Sequence, residues 1–241
     1  MPHSLSCRQG QFSETGLPVL YCKFSKTWRT GGLLKAIEDY YEGMKDYYER
    51  RAAEYDDAYL GIRASSGRDR PRFEEELEEV RTILEGLPPT RVLDVGCGTG
   101  LMTRHLKGEV VGLDQSEGML EIARRRVPTA TFVRGDALDM PFPDRSFDRV
   151  FISNFYGLLL SPERGACIAE ARRVGSELMV FETSLAAKRA YGEGFQERTL
   201  SDGSRHSIYR KYFSAEDLAQ ELGDVRVLYA KEHFVLVLSS G

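Results

Sequence analysis

The sequence predicts an α/β fold of three layers, in which helices cover both faces of a mostly parallel sheet. Between residues 91 and 183, short apolar runs typical of buried strands alternate with stretches of helical spacing. The first apolar run, VLDV, leads directly into the glycine-rich turn GCGTG. Such a strand and turn usually open a nucleotide-binding crevice at the carboxyl edge of a parallel sheet.

The alternation predicts five strands and three helices, after which the pattern changes. Asp202-Gly203, between two apolar-polar runs, predicts a hairpin that we expect to cover the site. Ser214 and Asp217 then suit the cap of a short helix, and two closing runs suit antiparallel pairing. The predicted strands are 91–95, 109–113, 130–134, 147–152 and 177–183, and the predicted helices are about 99–107, 117–126 and 162–174.

The region before the core is predicted to be helical. Aromatic residues recur at helical spacing from Tyr41 to Tyr59, and an acidic amphipathic stretch follows at 73–84. The tyrosines suit either the cover of a ligand or ordinary core packing. The predicted segments are an irregular arm at 1–32, an N-terminal helical lid at 33–86 and the core at 87–241, with an insertion at about 184–213.

Composition narrows the class of protein. The 241 residues carry a formal net charge of -4, which gives no general attraction for nucleic acid or anionic membranes. The uncharged stretch 150–162 is too short to cross a bilayer, and the first residues lack the features of a secretory signal. Cys7, Cys22, Cys97 and Cys167 are widely scattered, so we expect free thiols in a reducing cytoplasm and no metal site.

The residues around the turn indicate which ligand it suits. The turn offers backbone amides to an anionic group, but it lacks the lysine of a triphosphate-binding loop. Leu101 stands where a dinucleotide fingerprint has its third glycine, and Asp94 would oppose a pyrophosphate while favouring a cation. Asp114 ends the second strand and suits ribose hydroxyls or a helix cap. Asp136 and Ala137 follow the third strand and suit an adenine edge or a plain turn.

A carboxylate, an ammonium, a ribose and an adenine without any phosphate are the groups of S-adenosylmethionine. The segments VLDVGCGTG, VVGLDQSEGML, RGDALDMPFPDRSFD and FISNFYGLL, within about 91–160, resemble in order and spacing the motifs of class I S-adenosylmethionine-dependent methyltransferases. The resemblance implies a Rossmann-like, seven-stranded sheet of order 3-2-1-4-5-7-6. It also implies S-adenosylmethionine as the cofactor and S-adenosylhomocysteine as the product.

The resemblance also implies positions for the cofactor. Asp94 and the glycines of the turn would surround the methionine moiety, and Asp114 would bind the ribose. Tyr48 and Tyr55 would lie near the sulfonium, with Tyr47 turned away. The residues expected to bind the cofactor are Tyr48, Tyr55, Asp94, Gly96, Cys97, Gly98, Gly100, Asp114, Gln115, Met119, Asp136, Ala137, Asn154 and Phe155.

The acceptor is expected beyond the fourth strand, near residues 153–156. Positioning supplies much of the rate of methyl transfer, so a base is needed only for an acceptor that holds its proton tightly. Tyr156 and His206 are the candidates for moving a proton, although His206 also suits an ordinary surface histidine. We expect metal-independent transfer to an O, N or C atom of a small molecule by a monomer or homodimer. The alternatives are a methyltransferase of protein or RNA, an NAD-dependent oxidoreductase and a nucleotide-binding module without chemistry.

Overall fold

The computed structural model describes residues 31–57, 71–188 and 192–240. The predicted arm lies outside the described residues except for its last two positions, and Tyr59, Cys7 and Cys22 lie outside them as well. The chain divides into two compact units, residues 1–41 and 42–241. In the first unit, the described residues begin helix α1 (Gly31–Arg51), on which Lys35 and Asp39 form an exposed ion pair of 3.2 Å.

The second unit contains a seven-stranded sheet. Its strands are β1 (Thr90–Val95), β2 (Gly108–Asp114), β3 (Thr131–Arg134), β4 (Phe147–Ser153), β5 (Gly175–Thr183), β8 (Val225–Ala230) and β9 (Phe234–Ser240). They lie in the order β3-β2-β1-β4-β5-β9-β8, and β9 runs opposite to the other six. Two further strands, β6 (Glu193–Thr199) and β7 (Arg205–Lys211), form the predicted hairpin. When these two are left out of the count, the sheet has the predicted order 3-2-1-4-5-7-6.

Helices cover both faces of the sheet, as predicted. The described helices after α1 are α2 (Phe73–Gly86), α3 (Glu117–Arg126), α4 (Ser161–Val174) and α5 (Ala215–Leu222). On one face, Leu77 and Val80 of α2 pack with Phe181 and Leu236 of the sheet. On the other face, Leu120 of α3 belongs to a separate apolar cluster. The central strands are apolar on both sides because both sides are buried.

The prediction of a helix at 99–107 is wrong. The structure has a single 3-10 turn, Thr103–His105, between β1 and β2. Gly98 and Gly100 have φ angles of +53° and +75°, in the left-handed region that a helix cannot use. Gly108, with a φ of +108°, already begins the next strand, so the short segment between these glycines has no room for a longer helix.

The hairpin and the closing helix agree with the sequence patterns. β6 and β7 pair from Glu193 opposite Lys211 to Thr199 opposite Arg205. Gly203 takes a φ of +84° in the connecting turn, which explains the preference for glycine there. The cap of α5 is the predicted one, because Ser214 and Asp217 exchange hydrogen bonds of 3.1 and 2.8 Å.

Candidate functional site

A cleft opens at the carboxyl edge of the parallel strands, where the loops after β1, β2, β3 and β4 meet. It encloses about 680 Å³, a volume that includes its open mouth. A smaller cavity adjoins it beneath the glycine turn. The residues lining the main cleft are Met44, Lys45, Tyr48, Tyr55, Gly96, Gly98, Leu113, Asp114, Gln115, Ser116, Met119, Gly135, Ala137, Ser153, Asn154, Phe155 and Leu158.

The glycine turn is shaped by close contact with other parts of the chain. Gly96 has a φ of +68°, and a Cβ atom there would lie 2.6 Å from the Phe155 ring. The amides of Gly96 and Cys97 both donate to the Leu113 carbonyl, at 2.8 and 3.1 Å, and the Gly98 amide donates to Asp114. The amides of these three residues thus have partners within the protein, and binding of a carboxylate by the turn stays a prediction. The glycines allow the backbone to approach closely.

Asp94 is the most unusual group of the site. It is 1% exposed, and its Oδ2 atom accepts a 2.6 Å hydrogen bond from the Thr103 hydroxyl. Its Oδ1 atom is buried and has no hydrogen-bond partner among the described residues. Burial, together with the nearby Asp114 carboxylate, raises the pKa of Asp94 to about 7. Asp94 lines the smaller cavity, so a cation held there would satisfy the buried carboxylate.

Asp114 closes the loop between β2 and α3. Its Oδ2 atom accepts from the Gly98 amide and its Oδ1 atom from the Ser116 amide, both at 2.9 Å. Burial raises the pKa of Asp114, although these two hydrogen bonds oppose the shift. The interpretation of Asp114 as the helix cap is wrong, because Ser116 caps α3 by accepting from the Met119 amide at 3.1 Å.

An apolar slot lies beside Asp114. Met119, which is 1% exposed, and the backbone of Gly135 and Ala137 line it. Gln115 also lines it, and its buried Oε1 atom has no hydrogen-bond partner within the described ranges. Asp136 is not among the lining residues. Its Oδ1 atom instead accepts from the Leu138 amide at 2.9 Å, as expected of a residue that shapes a turn.

The later part of α1 lines the opposite wall. Tyr48 and Tyr55 line the cleft, with ring centroids 6.3 Å apart. Tyr47 is buried and does not line the cleft; its ring lies 5.1 Å from that of His206 on the hairpin. The structure therefore has Tyr48 and Tyr47 facing different surroundings, as the sequence analysis predicts.

Charged side chains hold this wall on the glycine turn. The Thr99 hydroxyl donates to Asp56 at 2.7 Å, and Arg126 bonds to Asp56 and to the Thr99 carbonyl. The Gly118 amide donates to Glu49 at 3.0 Å. Sequence reasoning missed Asp56 and Glu49 and assigned Arg126 only to the end of a helix. No local pattern could have joined these residues, because the partners are far apart in sequence.

Four predicted residues have other surroundings than expected. Tyr156 is fully buried, and its hydroxyl donates to Glu221 at 2.5 Å, outside the cleft lining. Burial raises the pKa of Tyr156, so its hydroxyl stays protonated and is not available as a general base. His206 does not line the cleft; it contacts Ser204 of the hairpin and Tyr47 of α1. Cys97 lines only the smaller cavity. A Cβ atom on Gly100 would lie 3.3 Å from Ala123, so this glycine permits close packing against α3.

One cluster of possible metal ligands lies outside the cleft. Glu76, Glu232 and His233 place ligand atoms within 4.8 Å of one another, although the sequence shows no such cluster. Two of these residues already form hydrogen bonds within the protein. Glu76 accepts from the His233 amide at 2.9 Å, and the His233 ring lies 2.9 Å from the Pro71 carbonyl. These hydrogen bonds hold α2 against the loop between β8 and β9, so the cluster already has a structural role.

Comparison with known sequences agrees with the motifs. Residues 92–177 match the family model of a methyltransferase domain. A demethylmenaquinone methyltransferase of Thermotoga maritima is 42% identical over 100 residues, which are 39% of this chain and 42% of that protein. The enzyme of the same name from Renibacterium salmoninarum is 43% identical over 104 residues, 41% of this chain and 43% of its own. The chain therefore spans about two-fifths of the length of these curated relatives.

Solved structures share the fold. DhpI in complex with SAM and HEP superposes with a TM-score of 0.66 at 24% identity, covering 83% of this chain and 96% of DhpI. A SAM-dependent methyltransferase of Thermotoga maritima, described as a possible histamine N-methyltransferase, has a TM-score of 0.57 at 21% identity. That superposition covers 82% of this chain and 99% of the other.

The fold, the motifs and the matched residues together define the class. Residues 92–177 match a methyltransferase domain, and the sheet has the order that the resemblance to class I, S-adenosylmethionine-dependent methyltransferases implies. Members of that class use S-adenosylmethionine as their cofactor. Within the described ranges, no helix is both long enough and apolar enough to span a bilayer.

Proposed function

We propose that this chain binds S-adenosylmethionine in the cleft and transfers its methyl group to an O, N or C atom of a small molecule without a metal. The observation that carries the proposal is the buried Asp94 carboxylate. One of its oxygens has no partner among the described residues, and Asp94 lines a cavity beside the glycine turn. A cation such as the ammonium of the cofactor would satisfy it. The structural neighbour DhpI was itself solved with SAM and with SAH.

The remaining residues of the cleft fit the other parts of this cofactor. Asp114 lines the cleft at the end of β2, where an acid suits ribose hydroxyls. Met119 and Ala137 border an apolar slot that suits a purine ring, and the unpartnered Gln115 Oε1 atom lies in the same lining. Asp94 and Asp114 would repel a phosphate group, and the turn lacks the lysine of a triphosphate-binding loop. The site therefore suits a cofactor without phosphate groups.

The main contribution of the protein to methyl transfer is to position the reactants. When bound, the cofactor supplies a methyl group on a sulfonium, which is already activated for in-line displacement. Tyr48, Tyr55 and Phe155 form aromatic walls that orient reactants and exclude water. Among the described residues that line the cleft, the titratable side chains are Lys45, Tyr48, Tyr55 and Asp114. This set supports acceptors that need little help from a general base.

The cover of the cleft favours a small acceptor over a macromolecule. Met44 and Tyr48 of α1 line the cleft together with the loops after β1 to β4, and enclosed, largely apolar clefts of this kind suit small ligands. The matched residues 92–177 include neither α1 nor the hairpin. The acceptor named for the curated relatives is therefore not part of the proposal.

Thermal unfolding in the presence of candidate ligands tests the cofactor. S-adenosylhomocysteine, NADH and ATP are added in parallel to the full chain. A ligand present at about 100 times its dissociation constant stabilises the folded state by about 2.7 kcal/mol. We expect this stabilisation with S-adenosylhomocysteine alone, and stabilisation by NADH alone would contradict the proposal. A screen of metabolites for S-adenosylhomocysteine formation, with and without EDTA, then tests the acceptor and the metal independence.

A further inference from the structure

We propose that Arg210, supplied by the hairpin, is a positioning residue that acts with Glu182 to set the floor of the cleft. The floor is the loop after β4, in which Asn154 and Phe155 line the main cleft. This inference rests on the proposed function for its ligand-binding test. It assigns to the hairpin a role in shaping the cofactor cleft from below, in addition to its contact with α1.

The floor has a backbone conformation that needs support. Asn154 has a φ of +51°, a left-handed value that non-glycine residues seldom adopt without contacts that hold them. Its amide donates to the Phe181 carbonyl at 2.8 Å. The next residue, Phe155, packs so closely on the glycine turn that Gly96 has no space for a Cβ atom. A shift of Asn154 would therefore move a wall of the cleft and the turn that faces it.

Arg210 binds both the backbone carbonyl and the side chain of Asn154. Its Nη1 atom donates to the Asn154 carbonyl at 2.8 Å, and its Nη2 atom lies 3.3 Å from the Asn154 Oδ1 atom. The same Nη2 atom donates to Glu182 at 2.6 Å. Arg210 is 8% exposed, so these charge-assisted hydrogen bonds form away from solvent. The planar guanidinium thus fixes the loop relative to β5 in one geometry.

Glu182 completes the clamp from the end of β5. It is fully buried, and its Oε1 atom accepts from the Gly157 amide at 2.9 Å. A Cβ atom on Gly157 would lie 2.4 Å from the Lys211 carbonyl, so the loop and β7 touch through their backbones. Glu182 and Arg210 therefore hold both ends of the floor, Asn154 at one and Gly157 at the other.

The chain offers a matched control for this pair. Arg149 of β4 and Glu177 of β5 form an arginine-glutamate pair of 2.7 Å at the ends of these strands away from the cleft, in which Arg149 is buried and the Glu177 side chain is 38% exposed. Arg149 is 6% exposed, close to the value for Arg210. Breaking either pair leaves a carboxylate without its cation and destabilises the protein. Only the Arg210 pair touches the cleft floor.

The first test compares the affinity of Arg210→Gln and Arg149→Gln for S-adenosylhomocysteine by calorimetry, well below either Tm. We expect Arg210→Gln to raise the Kd by about tenfold or more, equivalent to about 1.4 kcal/mol, and Arg149→Gln to change it less than about twofold. Equal Kd values for Arg210→Gln and the wild type would overturn the proposal. A wild-type chain that fails to bind S-adenosylhomocysteine would instead refute the proposed function.

Hydrogen exchange tests the same inference without any ligand and with a gentler substitution. Arg210→Lys keeps the charge next to Glu182 but removes the fork that reaches Asn154. We expect faster exchange of the amides of residues 154–158 in the folded Arg210→Lys variant, with unchanged exchange at the centre of β4. Unchanged protection of residues 154–158 in this variant would overturn the positioning role, whether or not Arg210→Gln folds.

Discussion

The two walls of the cleft are built in different ways. The wall from the sheet consists of strand ends and tight turns, held by backbone hydrogen bonds and apolar packing around residues such as Leu113 and Met119. The segment that follows α1 and the hairpin meet that wall through charged side chains, including Asp56 with Arg126 and Arg210 with Glu182. The first wall is therefore set by local sequence, whereas the second depends on a few distant pairs.

The difference matters for how each wall responds to change. Backbone and apolar contacts tolerate shifts of pH and salt, but they do not tolerate added volume. Charged pairs are sensitive to the loss of one partner, by an amount that grows with burial. Substitutions that add volume at one wall or remove a charged partner at the other separate these two responses.

The largest effect is expected from added volume at the glycine turn. Gly96→Ala places a Cβ atom 2.6 Å from the Phe155 ring at a φ of +68°. Strain and overpacking should lower the free energy of unfolding by about 2 kcal/mol or more and abolish S-adenosylhomocysteine binding. Urea unfolding measures the first effect and calorimetry the second.

Gly43→Ala is the control for this substitution. Gly43 lies within α1, and a Cβ atom there would meet nothing within 4 Å. Alanine should stabilise the helix by about 0.5 to 1 kcal/mol. If Gly96→Ala proved as harmless as Gly43→Ala, the tight contact between the turn and the floor would be refuted.

Removal of the acid after β2 should have the next largest effect. Asp114→Ala deletes an acceptor for two backbone amides and the proposed partner of the ribose. A charge-assisted hydrogen bond contributes about 1.5 to 3 kcal/mol, so most of the thermal shift caused by S-adenosylhomocysteine should disappear. Asp148→Ala is the control, because Asp148 accepts from the Arg91 amide at the opposite edge of the sheet. An undiminished shift in Asp114→Ala would remove the ribose assignment.

Asp94 should make ligand binding depend on pH. Its pKa of about 7 means that the carboxylate is mostly protonated at pH 6 and mostly ionised at pH 8. If the ionised form binds the cofactor's ammonium, affinity for S-adenosylhomocysteine should rise about tenfold over this range. Asp94→Asn should remove the dependence, as titration calorimetry at several pH values can show. A pH profile of Asp94→Asn identical to that of the wild type would contradict the role of Asp94.

The same pKa predicts the pH dependence of stability without ligand. Because burial raises the folded-state pKa above the ordinary value, the folded chain binds a proton more tightly than the unfolded chain does. The contribution of Asp94 to stability is therefore largest below pH 4 and is lost as the pH rises towards 7. Asp94→Asn should flatten this part of the curve in urea unfolding. A steeper decline in the variant would reverse the assignment.

The smallest effect is expected at the surface contact of the hairpin with α1. Arg50 and Asp202 form an ion pair of 2.7 Å, but both side chains are about half exposed. Exposed pairs of this kind contribute little because solvent screens them. Arg50→Gln should leave Tm and the Kd for S-adenosylhomocysteine unchanged within error. A loss of affinity comparable to that of Arg210→Gln would show that surface charges also set the cleft.

Sequence patterns predicted the sheet wall well, because its signals are local. The five predicted strands have bounds within two residues of the observed ones, and α3 has the bounds predicted for it. The helix at 99–107 failed because the left-handed glycines override the helical spacing of their neighbours. Asp114 was distinguishable from a helix cap only in the structure, where Ser116 takes that position.

The other wall could not be predicted in the same way. Periodicity indicated that Tyr48 and Tyr55 share a helix face, but it did not reveal that Asp56 bonds to Arg126. The prediction that Tyr156 and His206 move a proton depends only on the chemistry of these side chains. The direction in which they point depends on Glu221 and Tyr47, which are distant in sequence. Long-range side-chain partners leave no periodic trace in a single sequence.

The base of the hairpin limits how freely this segment can be exchanged. The Leu185 amide donates to the Phe213 carbonyl at 2.9 Å, and the Phe213 amide donates to the Thr183 carbonyl at 3.4 Å. These main-chain bonds do not depend on side-chain identity, but Arg210 and Lys211 also pair with Glu182 and Glu221 outside the hairpin. A chimera that exchanges residues 193–211 should therefore fold only if it retains both of these basic side chains.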